Sequence, residues 1–171
     1  MRHLLLPVLA LAIATPALAQ TNPQIDYAGF RKLTDDVQGL RRQHLLGYER
    51  FKTEAAKPGV LLLDARSKDA FAQGHLAGAV NLPFTDFTAA SLAEVIGANR
   101  NRKILIYCNN NFRNNAAPVY LKARPLALNI STFINLVGYG YSNVWELNQV
   151  IDFADPAVAW IRAAPKAQPA G

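Results

Sequence analysis

Two short apolar runs restrict the folds open to this chain more than any other feature. Val60-Leu61-Leu62-Leu63-Asp64 and Lys103-Ile104-Leu105-Ile106-Tyr107 each place large apolar residues side by side without polar alternation. A strand with one wet face alternates, whereas a strand covered on both faces reads as a continuous apolar run. Both runs are too short for ordinary helices, so both predict buried parallel strands. Stretches with helical spacing lie between and around them. Alternation of strands and helices predicts an α/β fold built on a parallel sheet.

The rest of the chain fits that plan. Tyr27, Phe30, Leu33, Val37 and Leu40 recur every three or four positions, so residues 20–43 predict an amphipathic helical lead-in. Leu45 to Phe51 opens as a short strand or turn and passes into a helix through about Ala56. Lys68 to Gln73 predicts a short helix stopped at Gly74, and Ala77 to Pro83 a strand ended by proline. Ser91 to Ile96 predicts a further helix. Asn114 or Asn115 is placed to cap a helix running to Lys122 and broken by Pro125. Thr132 to Val137 predicts another helix, and Asn143 to Leu147 a last strand. The domain is expected over residues 44–155, with an Ala/Pro-rich, poorly ordered tail over 156–171.

The start of the chain has a different character. Arg2 and His3 precede an apolar stretch from Leu4 to Ala14, and Ala17-Leu18-Ala19 supplies small residues at a cleavage point. That is the order of a secretory signal, expected over residues 1–19 with cleavage after Ala19. The stretch is too short to span a bilayer, and no later segment predicts a membrane span. The expectation is a periplasmic or secreted bacterial protein.

Export makes the cysteine count informative. There is one cysteine, Cys108, in the entire chain. A lone thiol excludes an internal disulfide framework and any multi-cysteine metal site. The three histidines show no metal-ligand spacing, and no metal or cofactor is expected. The formal net charge is +6, but the basic residues are scattered, so a nucleic-acid partner is not expected.

Cys108 lies where chemistry is easiest to build. It directly follows the Ile104–Tyr107 run, at the carboxyl end of a central strand, where open α/β sheets bind ligands. Asn109, Asn110, Asn111 and Phe112 lead to Arg113. Three features are expected to favour the thiolate here: a helix N-terminus, loop N–H groups curled into an anion nest, and the positive charge of Arg113.

These residues resemble the rhodanese-like domain family. Leu62-Leu63-Asp64-Ala65-Arg66, Phe71, Gly74-His75, Gly78-Ala79 and Asn81-Leu82-Pro83 are similar to its first signature. Ile104 to Cys108 with the loop to Arg113 is similar to its active-site strand and loop, and Gly140-Tyr141-Ser142-Asn143-Val144 with Leu147 to its closing strand. The resemblance covers about residues 44–152. It implies a sulfurtransferase in which Cys108 takes up sulfane sulfur as a persulfide and passes it to a thiol or cyanide acceptor. It further implies Asn109, Asn110, Asn111, Phe112 and Arg113 as the substrate-binding loop. The expected partners are a small sulfur-containing anion or persulfide donor and a thiol acceptor, with a protein partner as a further candidate. Asp64 and Arg66 are expected to pair and brace the loop, and His75 to make a structural hydrogen bond.

The chain departs from the family pattern in places. Asn111 stands where the family loop has glycine, Asn109 where it often has a basic residue, and Asn148-Gln149 where a glycine pair is common. An extra segment lies around Lys122 to Phe133. One loop cation in place of two argues against thiosulfate as the donor. A cysteine phosphatase needs a loop one residue longer between cysteine and arginine. A catalytically silent binding module on the same fold is the alternative to the enzyme. Any persulfide on Cys108 has to be discharged to an outside acceptor, because there is no resolving cysteine.

Overall fold

A computed structural model describes residues 22–162. The expected signal segment 1–19 and the end of the tail lie outside the described residues. The element order begins with α1 (Tyr27–Gln43), β1 (Leu45–Leu46), α2 (Tyr48–Ala55), β2 (Leu61–Asp64), α3 (Lys68–Gln73), β3 (Gly74–Leu76) and β4 (Ala79–Asn81). It continues with α4 (Ala89–Ile96), β5 (Ile104–Tyr107), α5 (Leu128–Gly138), β6 (Val144–Leu147) and β7 (Trp160–Arg162). Five strands form one parallel sheet in the order β1-β6-β5-β2-β4, so β5 is central.

The apolar runs are buried on both faces, and their period of two divides them between two cores. Leu61, Leu63, Ile104 and Ile106 pack with Leu92, Ile96, Phe133 and Leu136 on one side of the sheet. Leu62, Leu105 and Tyr107 point the other way, into a second core with Tyr48, Phe51, Phe112 and Val119. The result is the parallel α/β sheet expected from the runs, a central parallel sheet flanked by helices in the three layers that the rhodanese-like resemblance implies.

Helix α1 begins at Asp26, whose side chain accepts from the Gly29 amide. Leu33, Val37 and Leu40 of its apolar stripe join the first core. Tyr27 and Phe30 of the same stripe stand exposed, because the first turns of the helix run past the edge of the core. The last turn, with Arg41, reaches β6, and His44 just beyond stacks on Trp145 at 4.2 Å.

Two sequence expectations are corrected. No helix follows the Cys108 loop over residues 114–122. Asn115 takes a positive φ of 40°, and the chain stays irregular to a 3-10 turn at Arg124–Leu126. Asparagine tolerates that left-handed conformation better than most residues, and its side chain competes for backbone groups. The next helix is α5, and the irregular segment before it extends earlier in the chain than the expected insertion.

The tail is the second correction. Trp160–Arg162 forms β7, antiparallel to β3, an element that the sequence pattern did not reveal. Trp160 packs on Phe112 and Phe153 at 5.0 and 5.3 Å, and this aromatic packing outweighs the alanine- and proline-rich composition around it. At Gly74 an added Cβ would come within 2.7 Å of the Trp160 ring, so the absence of a side chain is what lets β7 lie close.

Candidate functional site

Cys108 leaves the end of β5 in extended backbone and is 1% exposed. It lies in a cleft of about 580 Å³ at the carboxyl ends of the central strands. Arg41, Arg113, Arg124 and Glu146 line that cleft with Asn110, Asn129 and the apolar side chains of Leu121, Ile130 and Val150.

Burial pushes the Cys108 thiol up from its ordinary range. The backbone amides of Asn129, Asn110 and Leu128 oppose that by hydrogen bonding, while the Glu146 charge adds to it. The expected helix N-terminus is thus present at the thiol, but it is that of α5, supplied from beyond the irregular segment. The net direction is opposite to the expected one, because desolvation outweighs the amide donors.

The loop itself is not an open anion nest. Asn109–Asn111 curl into a 3-10 turn. The amide of Asn111 donates to the Cys108 carbonyl at 3.0 Å and that of Phe112 to Asn109 at 3.1 Å. The Arg113 amide donates to Ile151 at 3.0 Å. These N–H groups are engaged by carbonyls, and that of Asn111 also meets the Cys108 side chain.

The asparagine side chains serve the protein. Asn109 Nδ2 donates to the Tyr120 carbonyl at 2.7 Å. Asn110 pairs both ways with the backbone of Lys122, donating at 2.8 Å and accepting at 3.1 Å. Together they dock the irregular segment across the loop. Asn111 is buried, and its Oδ1 accepts from the Cys108 amide at 2.9 Å and from Asn129 Nδ2 at 3.0 Å. Its Nδ2 donates to the Leu147 carbonyl at 2.7 Å. Where a glycine would supply backbone freedom, this asparagine supplies an internal tie.

Of the other loop residues, Phe112 is 1% exposed and belongs to the second core. Arg113 is exposed at the cleft rim. It is one of the groups that hold the Asp152 carboxyl low, behind the Asn114 side chain and the Ala154 amide.

Asp64, Arg66 and His75 do not line the cleft. Arg66 meets Asp64 through Nη2 at 2.6 Å and Nε at 3.0 Å, both side chains fully buried. Arg66 also donates to the Gly74 carbonyl at 2.8 Å. The Tyr107 hydroxyl donates to Asp64 at 2.6 Å, tying the residue before the cysteine to β2. Burial, with the Asp64 charge behind it, pushes the Tyr107 hydroxyl well above its ordinary value, so it stays a donor. His75 is hydrogen-bonded through Nδ1 to the Phe71 carbonyl at 2.9 Å and stacked on the Phe71 ring at 3.8 Å.

Sequence reasoning did not pick out Arg41, Glu146, Asn129 or Arg124. Glu146 had a visible signal: a carboxylate inside the otherwise apolar run Val144-Trp145-Glu146-Leu147 needs a partner. Asn129 had none, since its role depends on where α5 starts.

The rhodanese-like domain model matches residues 48–151 of the chain. Among solved structures, an EanB variant in complex with hercynine aligns at a TM-score of 0.50 and 17% identity, covering 72% of this chain and 28% of that one. A thiosulfate sulfurtransferase from Pseudomonas aeruginosa aligns at 0.47 and 24% identity, covering 70% of this chain and 20% of that one. A curated Mus musculus TBC domain-containing protein kinase-like protein is 46% identical over 39 residues, 22% of this chain. The chain spans 4% of the length of that relative.

Proposed function

The chain belongs to the rhodanese-like domain family, and from that premise we propose that it is a sulfurtransferase acting through a persulfide on Cys108. The observation that supports this reading is the setting of the thiol. It lies in a cationic cleft at the end of the central strand, where the backbone N–H groups of Asn129, Asn110 and Leu128 favour the thiolate against its burial. Preorganised N–H donors of this kind stabilise charge on sulfur as it forms.

In the proposed reaction the Cys108 thiolate attacks the outer sulfur of a donor R–S–S⁻. The donor S–S bond breaks, R–S⁻ leaves, and the enzyme holds Cys–S–S⁻. An acceptor thiolate then attacks the outer sulfur, takes it as its own persulfide, and returns the Cys108 thiolate. Two thiolates exchange one sulfur atom, and no outside oxidant or reductant is needed. Asn110 to Arg113 serve this scheme by shaping the wall of the cleft, and Asn109 by holding the segment at Tyr120 against the loop. The partners are a small anionic or persulfide donor and a thiol acceptor, met in the periplasm or outside the cell.

A second reading, the silent binding module, draws on a specific observation too. The thiol is 1% exposed, burial raises its pKa, and the loop amides after Asn110 are occupied. A sulfur-transfer assay separates the two. The enzyme reading expects turnover with a small persulfide donor that vanishes in Cys108→Ala. Equal background rates in both proteins favour the module.

A further inference from the structure

The Cys108 cleft contains a carboxylate that sulfur transfer does not call for. Glu146 is 6% exposed in β6, and a carboxylate so placed is costly unless paired. Its partner comes from outside the segment matched by the family model. Arg41, in the last turn of α1, donates from Nε to Oε2 at 2.6 Å and from Nη2 to Oε1 at 2.9 Å. Two-pronged pairing of this kind fixes both direction and distance.

The same carboxylate is linked to the cysteine. Asn129 Nδ2 lies 3.4 Å from Glu146 Oε1 and 3.0 Å from Asn111 Oδ1, which in turn accepts the Cys108 amide. We propose that Arg41 is a positioning residue for the Cys108 site: the lead-in helix neutralises Glu146 beside the thiol and steadies the Asn129–Asn111 chain that carries the cysteine loop.

The charged side chains of the cleft, among the described residues, are Glu146 from β6, Arg41 from α1, Arg113 from the loop and Arg124 from the irregular segment. Helix α5 carries no charged side chain and faces the sulfur with amides alone. Arg113 stands by Asp152, so the charge nearest to balancing Glu146 is that of Arg41. With Arg41 removed, the Glu146 carboxylate stands beside the thiol without its counter-charge, which raises the cost of forming a thiolate there.

This inference rests on Cys108 being the reacting thiol, but its test does not need sulfur transfer. Cys108 is the only cysteine, so the pH dependence of iodoacetamide alkylation reports this thiol alone. In the full chain, Arg41→Ala is expected to raise the alkylation midpoint by about half a pH unit or more, with Arg41→Lys restoring most of it. Glu146→Gln is expected to lower the midpoint, and the double variant Arg41→Ala/Glu146→Gln to follow Glu146→Gln. A merely structural helix would not give that cancellation. An unchanged midpoint in folded Arg41→Ala overturns the proposal. Where Arg41→Ala fails to fold, Glu146→Gln decides alone, and no lowering overturns it. Failure of sulfur loading with an intact alkylation shift removes the sulfurtransferase reading and leaves this role standing.

Discussion

The side chain of Asn111 accepts the backbone amide of Cys108 at 2.9 Å, so the cysteine loop is held closed from within by the residue three positions along. The same side chain reaches Asn129 and the Leu147 carbonyl. One amide group therefore joins the cysteine loop, the start of α5 and the end of β6.

Asn111→Ala is predicted to strand the Cys108 amide and the Leu147 carbonyl in a buried place. Each orphaned group costs roughly 1–3 kcal/mol. The expected outcome is a lowered urea midpoint with an unchanged slope, and faster alkylation of Cys108 as the loop opens. An unaltered midpoint contradicts the tie.

The Asp64–Arg66 pair ties β2 to β5 at their carboxyl ends. Asp64→Asn leaves the Arg66 guanidinium buried without its counter-charge, and removing one partner of a buried pair costs about 3–5 kcal/mol. The variant also weakens the bond from the Tyr107 hydroxyl. Urea unfolding measures the loss, and a change well under 1 kcal/mol contradicts the assignment.

Acid sensitivity is predicted from Glu54. Hydrogen bonds from Lys103 and Lys57 hold its carboxyl at about 2, below the ordinary 4.5. A depressed folded value means stability that is present above about pH 4.5 and lost as the pH falls toward 2. Glu54→Gln is expected to flatten that part of a melting-temperature profile by lowering the melting temperature at neutral pH, with the two proteins converging as the pH falls toward 2. A profile identical to the wild type contradicts the role.

Much of this architecture was legible because it rests on burial. The runs at Leu61–Asp64 and Ile104–Tyr107 have one physical reading, and they place Cys108 at the end of the central strand. Gly74 was readable as a helix stop, but the strand that begins there was not, because its partner Trp160–Arg162 lies far along the chain in a segment of tail-like composition. The cysteine loop was legible in position and not in conformation. Asparagines suit a turn whether they free its amides for a ligand or spend their side chains on neighbours. The choice depends on Tyr120, Lys122, Leu147 and Asn129, which reach the loop only in the folded chain. Arg41 was hidden for the same reason: as one basic residue of a helix end, its meaning comes from Glu146 across the fold.

Intact-mass measurement after incubation with a small persulfide donor tests directly whether Cys108 accepts sulfur. Burial raises the thiol from its usual value near 9.0, so the measurement belongs at alkaline as well as neutral pH, with loading faster at the higher pH. A gain of one sulfur atom is expected on the wild-type chain, reversed by an added thiol and absent in Cys108→Ala. An unchanged wild-type mass at both pH values, with the donor shown to be intact, contradicts it.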